Sequence, residues 1–253
     1  RALNGSGILC HNSSDPTVIN CLIVNNRAEI GGGGVLCDIN SSPTFINCTV
    51  VGNQAEKGGG VYSQNNSSPT VINTIFWADS PQEIYFGIGR PSTISISYSD
   101  VQGGEAGVVT NDNGVVIWGD GNIRTSSVIP DSDPLFVDTL NGDYHLLDDS
   151  LCIGMGTVVD VSNDIEGNVR GIPPDIGAYE NALNTRLVTT IRVPQDKSTI
   201  QAGINAATRG DTVLVADGVY TGRSNVSLDF IGKSITVKSV NGASSTIIDC
   251  QGQ

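Results

Sequence analysis

The sequence predicts an all-β solenoid built from stacked parallel strands. Three observations carry this. A unit recurs three times, as GILCHNSSDPTVINCLIVNN over residues 7–26, GVLCDINSSPTFINCTVVGN over 34–53 and GVYSQNNSSPTVINTIFWAD over 60–79. Equivalent residues Cys10, Cys37 and Ser63 are 27 and then 26 positions apart, a period typical of solenoids. Each unit holds short β-rich apolar runs, such as Ile8-Leu9-Cys10 and Thr17-Val18-Ile19, separated by Gly, Asn, Ser and Pro, which is turn chemistry. The composition agrees: 31 Gly, 5% aromatic and 15% charged residues among 253 point to many turns and few helices. One such unit cannot bury its apolar face alone and must stack on its neighbours.

Residues 1–96 are expected to form the coils. Within them Asn20, Asn47 and Asn73 make an equivalent column. Stacked Asn side chains hydrogen-bond along a solenoid and satisfy turn carbonyls, so their role is structural. Cys21 with Cys48, and Cys10 with Cys37, are equivalent pairs in adjacent coils. Equivalent residues of stacked parallel strands lie about 4.8 Å apart, within the Cα range of disulfides. Disulfides and columns of packed thiols are both open on the sequence. No CxxC pair or Cys/His cluster supports zinc.

Asn12-Ser-Ser, Asn40-Ser-Ser and Asn66-Ser-Ser read as a second column, each a glycosylation sequon before a proline-bearing strand. Asn4, Asn65 and Asn225 are further sequons; Asn47 is another, expected to be buried by its place in the ladder.

The net charge of −13 argues against a nucleic-acid partner. No apolar run is long enough to span a membrane. The chain begins at Arg1 with no signal peptide and is read as a processed piece. No cofactor is expected, with calcium at Asp131-Ser-Asp133 or Asp160-Val-Ser-Asn-Asp164 as the alternative, although neither has the full ligand spacing of a calcium loop.

After Ser80 the repeat loosens. Thr93-Ile-Ser-Ile-Ser-Tyr98 and Val115-Val-Ile-Trp118 read as strands between Gly- and Asn-rich loops. Then DPLFVDTLNGDYHL, SLCIGMG, DIEGN and DIGAYE follow in order. This run resembles the C-terminal end of bacterial right-handed parallel β-helix repeat proteins. The resemblance implies that residues 97–180 close the stack, that the protein is extracellular or on a cell surface, and that no single enzymatic activity comes with the fold.

Residues 181–190 read as a linker, and residues 191–253 as a beginning. IRVPQDKSTIQAGINAATRGDTVLVADGVYTG resembles the N-terminal opening of the same proteins and of pectate-lyase-like solenoids. Ser198 or Thr199 is placed to cap a short helix over residues 200–207, with Ile200 and Ile204 on one face. Leu214, Thr236 and Ile248, 22 and 12 residues apart, are expected to mark a whole coil and part of one. The fold class is therefore all-β, a right-handed parallel β-helix with a short capping α-helix near the C-terminus.

The family order is thus permuted. Joining Gln253 to Arg1 places Asp249 24 residues before Asn20 and Cys250 in the column of Cys21 and Cys48. A cut tandem array, a head-to-tail fibre and a self-closing monomer would each explain this. The linker spans at most about 35 Å, which favours the open-ended arrangements. The expected partner is the protein itself, through residues 191–253 and 1–26, with glycans as a further surface component. A polysaccharide lyase or hydrolase, a carbohydrate-binding solenoid and an adhesin are the alternatives. Asp15, Asp38, Glu29, Glu56, Arg27 and Lys57 are scattered, the last cation pair in inter-coil loops, and His11 and His145 lack a nucleophile. No catalytic or metal residue is assigned.

Overall fold

A computed structural model describes residues 2–5, 7–123, 133–183, 188–208, 210–230, 233 and 235–250. They fall into two compact units, divided between residues 183 and 188.

The first unit is a parallel β-solenoid. Strand β1 (Ala2–Asn4) precedes a first coil of β2 (Ile8–Cys10), β3 (Thr17–Ile19), β4 (Leu22–Val24) and β5 (Ala28–Gly31). The second coil holds β6 (Val35–Cys37), β7 (Thr44–Ile46) and β8 (Thr49–Val51); the third β9 (Val61–Ser63), β10 (Thr70–Ile72) and β11 (Ile75–Trp77). The fourth holds β12 (Ile84–Phe86), β13 (Ser92–Ser97) and β14 (Asp100–Val101), and the fifth β15 (Val108–Val109) and β16 (Gly114–Trp118). Three parallel sheets result, ordered β15-β12-β9-β6-β2, β16-β13-β10-β7-β3 and β14-β11-β8-β4. Arg27 and Lys57, expected in loops, sit in a fourth ladder, bridging Gln54 and Gly31.

The alternation of side chains along a strand selects the core. Val35, Val61 and Ile84 stack in register, as do Phe45, Val71 and Ile96, and all are at most 1% exposed. Each such side chain contributes roughly 1.5–3 kcal/mol. Polar columns turn the corners between sheets. Ser41 and Ser67 hydroxyls accept the backbone N–H of Ser14 and Ser41, and Ser92 that of Ser67. Thr74, Ser99 and Asn122 do the same for Cys48, Thr74 and Ser99. Buried backbone donors at each corner are thereby paired.

One expected column is out by a residue. The N–H of Ser13 donates to Ile39 O and that of Asn40 to Asn65 O, so Ser13, not Asn12, lies over Asn40. The Asn-Ser-Ser triplet starts one position earlier in the first coil: one residue, His11, separates Cys10 from Asn12, where Asp38 and Ile39 separate Cys37 from Asn40, and Asp15 restores the length before Pro16.

Residues 133–183 do not repeat the coil. An antiparallel hairpin, β17 (Phe136–Asp138) and β18 (Asp143–Leu146), leads into an irregular strap. The resemblance implied a region that closes the stack. The described strap bonds to the corner between β3, β7, β10 and β4, β8, β11. Asn73 is bonded by Thr157 and Gly177, Thr49 by Ala178, and Asn20 by Asn163 and Arg170. Ile153 and Ile176 pack with Ile75 beneath it. Gly177 is needed here: its φ is +110°, and a Cβ would lie 2.8 Å from Ile75 Cδ1.

In the second unit β19 (Thr190–Val193), β20 (Thr212–Val215) and β22 (Thr236–Ser239) form one parallel sheet, and β21 (Gly218–Tyr220) pairs with β23 (Thr246–Ile248). Thr212 faces Thr236 and Leu214 faces Lys238, 24 residues apart, whereas β19 and β20 pair 22 apart and β21 and β23 pair 28 apart. Leu214 and Thr236 are therefore not register partners. Helix α1 (Ile200–Ala206) is capped by the Thr199 hydroxyl, which accepts from Ala202 N–H at 3.2 Å. Ile200 and Ile204 pack on Val193 and Val213. Gly203 lets the helix approach, since a Cβ there would meet Val213 at 2.8 Å. Lys233 Nζ donates to Ile204, Asn205 and Ala207 carbonyls at its C-terminal end.

Candidate functional site

The places where this fold is incomplete are its coil edges. In the first unit β2, β3 and β4 each end a sheet. Ile8 of β2, Val18 of β3 and Cys21 before β4 are only half-buried, whereas Val35, Phe45 and Cys48 one coil on are sealed; Ile23 of β4 is buried. In the second unit β22 and β23 end their sheets, Val237 is half-buried and Ile247 is 48% exposed. One edge faces the start of its stack and the other faces the end.

The Asn column stands at the first of these edges. Asn20, Asn47 and Asn73 each have φ near +50°, a left-handed turn that Asn tolerates. Asn73 Nδ2 donates to Asn47 Oδ1 at 2.9 Å. Asn47 and Asn73 are fully buried. Asn20 is diverted: its Oδ1 accepts from Arg170 Nη2 at 2.9 Å and its Nδ2 donates to Asn163 O at 2.7 Å. Asn47 Nδ2 is left buried without a partner. Asp249 follows β23, its N–H donating to Tyr220 O.

All six cysteines are free thiols, so of the two readings open on the sequence the structure has the thiol columns and no disulfide. Directly stacked parallel residues have parallel Cα–Cβ bonds, so their Cβ atoms stay near the strand spacing of about 4.8 Å. A disulfide wants about 3.8 Å. Cys10 faces Cys37 in register, and the Cys37 thiol lowers the pKa of Cys10. Cys48 hydrogen-bonds Cys21, holding Cys21 down to about 6 and pushing Cys48 up. Cys250 is exposed.

Among the sequons, Asn4, Asn12, Asn40 and Asn66 are exposed, Asn65 is half-buried and Asn47 is sealed. Asn225 is engaged at the helix start, its Oδ1 accepting from Ile200 N–H and its Nδ2 donating to Thr221 O.

Several clusters escaped the sequence. A second column runs through Asn26, Asn53 and Asp79: Asn26 Nδ2 donates to Asn53 Oδ1 at 2.9 Å, and Asn53 Nδ2 to Asp79 Oδ1 at 2.8 Å. Glu83 lies beside Asp79, accepting its N–H at 3.1 Å. Burial raises Asp79 to about 6; burial and the Asp79 charge raise Glu83 to about 10. The aligned unit ends NN, GN and AD carried this signal. On the strap, His145 Nδ1 lies 2.6 Å from Asp143 and Nε2 3.2 Å from Glu166, with Tyr179 against its ring. Among the described residues its hydrogen-bond partners are these two carboxylates.

DIEGN and DIGAYE prove to be knots in the strap. Asp164 accepts from Glu166, Asn168 and Glu180 N–H groups. Asp175 accepts from Gly154 and Asn181 N–H groups, and burial raises it to about 7. Glu180 pairs with Arg170 at 3.2 Å, both sealed. Asp164 is thus spent on its own turn, and Asp131 lies outside the described residues. Among the described residues no group of three or more His, Cys, Asp or Glu is placed to hold a metal. No described helix is long and apolar enough to cross a membrane. An open groove of about 710 Å³ at the fifth coil is lined by residues that include no His, Cys, Lys or Arg.

No curated protein and no solved structure matches the chain. Residues 2–128, just over half of its length, match the family model described as the right-handed β-helix region. With stacked parallel strands on three sheets and that match, the chain belongs to the right-handed β-helix family.

Proposed function

We propose that this is a structural protein that assembles head to tail, the last coil of the second unit completing the first coil of the next copy. The single observation that carries this is the match between the two open edges. Val237 and Ile247 are ten residues apart, as are Ile8 and Val18, Val35 and Phe45, and Val61 and Val71. β22 and β23 therefore repeat the sequence spacing of the three clean coils, with Val237 packed on the core of its own unit. Lys238 alternates outward, as Leu9 does, and Ser239 takes the place held by Cys10, Cys37 and Ser63. Helix α1 covers β19 and β20 in the second unit, so its free edge is the one that faces onward. Sealing Ile8, Val18, Val237 and Ile247 would contribute roughly 1 kcal/mol each. Such a contact is heterologous and propagates.

An extracellular or cell-surface location is proposed with it, on the family resemblance and the exposed sequons at Asn4, Asn12, Asn40 and Asn66. A mobility shift of the native protein on enzymatic deglycosylation tests the glycans.

Negative-stain microscopy and sedimentation of the full chain test the assembly. Filaments or long oligomers are expected, lost in Ile247→Asp. Compact monomers at all concentrations would sink the proposal.

A further inference from the structure

We infer that Asp249 of one copy caps the asparagine column of the next by accepting a hydrogen bond from Asn20 Nδ2. This rests on the head-to-tail reading and names the chemistry of its junction.

The molecule already contains the same pairing once. In the second column each amide donates toward the next coil, Asn26 to Asn53 and Asn53 to Asp79. Asn53 Nδ2 splits its two hydrogens between Ile23 O at 2.8 Å and Asp79 Oδ1 at 2.8 Å. A carboxylate ends the column because it accepts and has no amide hydrogens left to satisfy.

The first column runs the other way, since Asn73 donates to Asn47 in the preceding coil. Its end therefore lies at the first coil, at Asn20. Arg170 and Asn163 fix the Asn20 amide, oxygen toward the guanidinium and nitrogen toward the Asn163 carbonyl. One amide hydrogen of Asn20 is used on Asn163, as one of Asn53 is used on Ile23. The same corner holds the buried, unpartnered Nδ2 of Asn47, the mark of a column interrupted at this point. With TIID of one copy set over TVIN of the next, Asp249 falls over Asn20 and Cys250 over Cys21.

The two cysteines supply the readout. Ser is compatible with their column, where Ser99 already stands in line with Cys48 and Thr74. Full-length Cys21→Ser and Cys250→Ser chains are mixed and treated with a short bis-maleimide, and the joined peptides are identified by mass spectrometry. Crosslinks from Cys250 of one chain to Cys21 of the other are expected. Asp249→Ala should weaken association about tenfold, as expected for a lost hydrogen bond to a charged group, and Asp249→Asn, which keeps an acceptor oxygen, should restore most of it. Assembly with crosslinks indifferent to Asp249→Ala overturns the capping and leaves head-to-tail assembly standing. Assembly without the Cys21–Cys250 crosslink overturns the register and the capping alone. Monomers only, or crosslinks confined to single wild-type chains, overturn both.

Discussion

Glu83→Gln should stabilise the first unit at neutral pH and leave it unchanged in acid. Glu83 is 5% exposed and accepts the Asp79 backbone N–H. Its second oxygen and Asp79 Oδ2 have no hydrogen-bond donor while both groups are ionised. Burial and the Asp79 charge raise its pKa from 4.5 to about 10, so the folded chain carries it protonated, sharing that proton with Asp79. The unfolded chain ionises above pH 4.5. The stability held below the unfolded value is therefore lost progressively as pH rises toward the folded one. From pH 4.5 to pH 7 the loss is about 1.4 kcal/mol per pH unit, or about 3 kcal/mol. Gln keeps the acceptor for Asp79 N–H and turns its amide toward the Asp79 carboxylate. Both tryptophans, Trp77 and Trp118, lie in the first unit, so urea unfolding followed by their fluorescence reads that unit. The wild-type chain should lose stability more steeply than the variant between pH 5 and 7, the variant keeping only the slope that Asp175 and Asp79, also raised by burial, contribute. A variant curve parallel to wild type, or a variant weaker at pH 7, would refute a protonated Glu83.

Three further outcomes are expected. Asn73→Ala removes the donor to Asn47 and both bonds to Thr157; it should cost about 2–4 kcal/mol and open the strap near residues 157–170 to limited proteolysis. Lys233→Met strips three carbonyls at the end of α1 of their donor; it should cost about 1–2 kcal/mol, read as faster hydrogen exchange of the helix amides. Six thiols should react with a thiol reagent when the chain is denatured without reductant; fewer would restore a disulfide.

The coils were legible because their contacts are periodic. Residues 26 or 27 apart pair directly, so one alignment of three units displays the core, the Asn column and both thiol pairs. The column reading failed where the Asn-Ser-Ser triplet shifts by one within a loop of unchanged length: Asn12 is out of line with Asn40, although Cys10 and Thr17 keep their register with Cys37 and Thr44. The strap was illegible in its placement. Its bonds to the coils join Asn73 to Thr157, Thr49 to Ala178 and Asn20 to Arg170, with no common interval. DIGAYE stood out as a motif, but nothing local says that its Gly must fit against Ile75 or that its Glu must neutralise Arg170. The His145 cluster was hidden similarly, because Glu166 lies 21 residues away on another turn.

A repeat carries one more kind of information, in the residue that breaks its column. Asn26, Asn53 and Asp79 look like a drifting consensus, yet the Asp stands where the column stops donating. An amide in the middle of a stack gives and receives; at the end it needs a group that only receives. The substitution thus states both where a ladder ends and which way its hydrogens point. It also has a cost, since an acceptor sealed from water favours its protonated form, and that is what Asp79 and Glu83 show. Asp249 has the same chemistry in the repeat TIID, where the coils have TVIN and TFIN. Its acid is therefore the residue expected of a coil that begins a column whose amides donate backward along the stack.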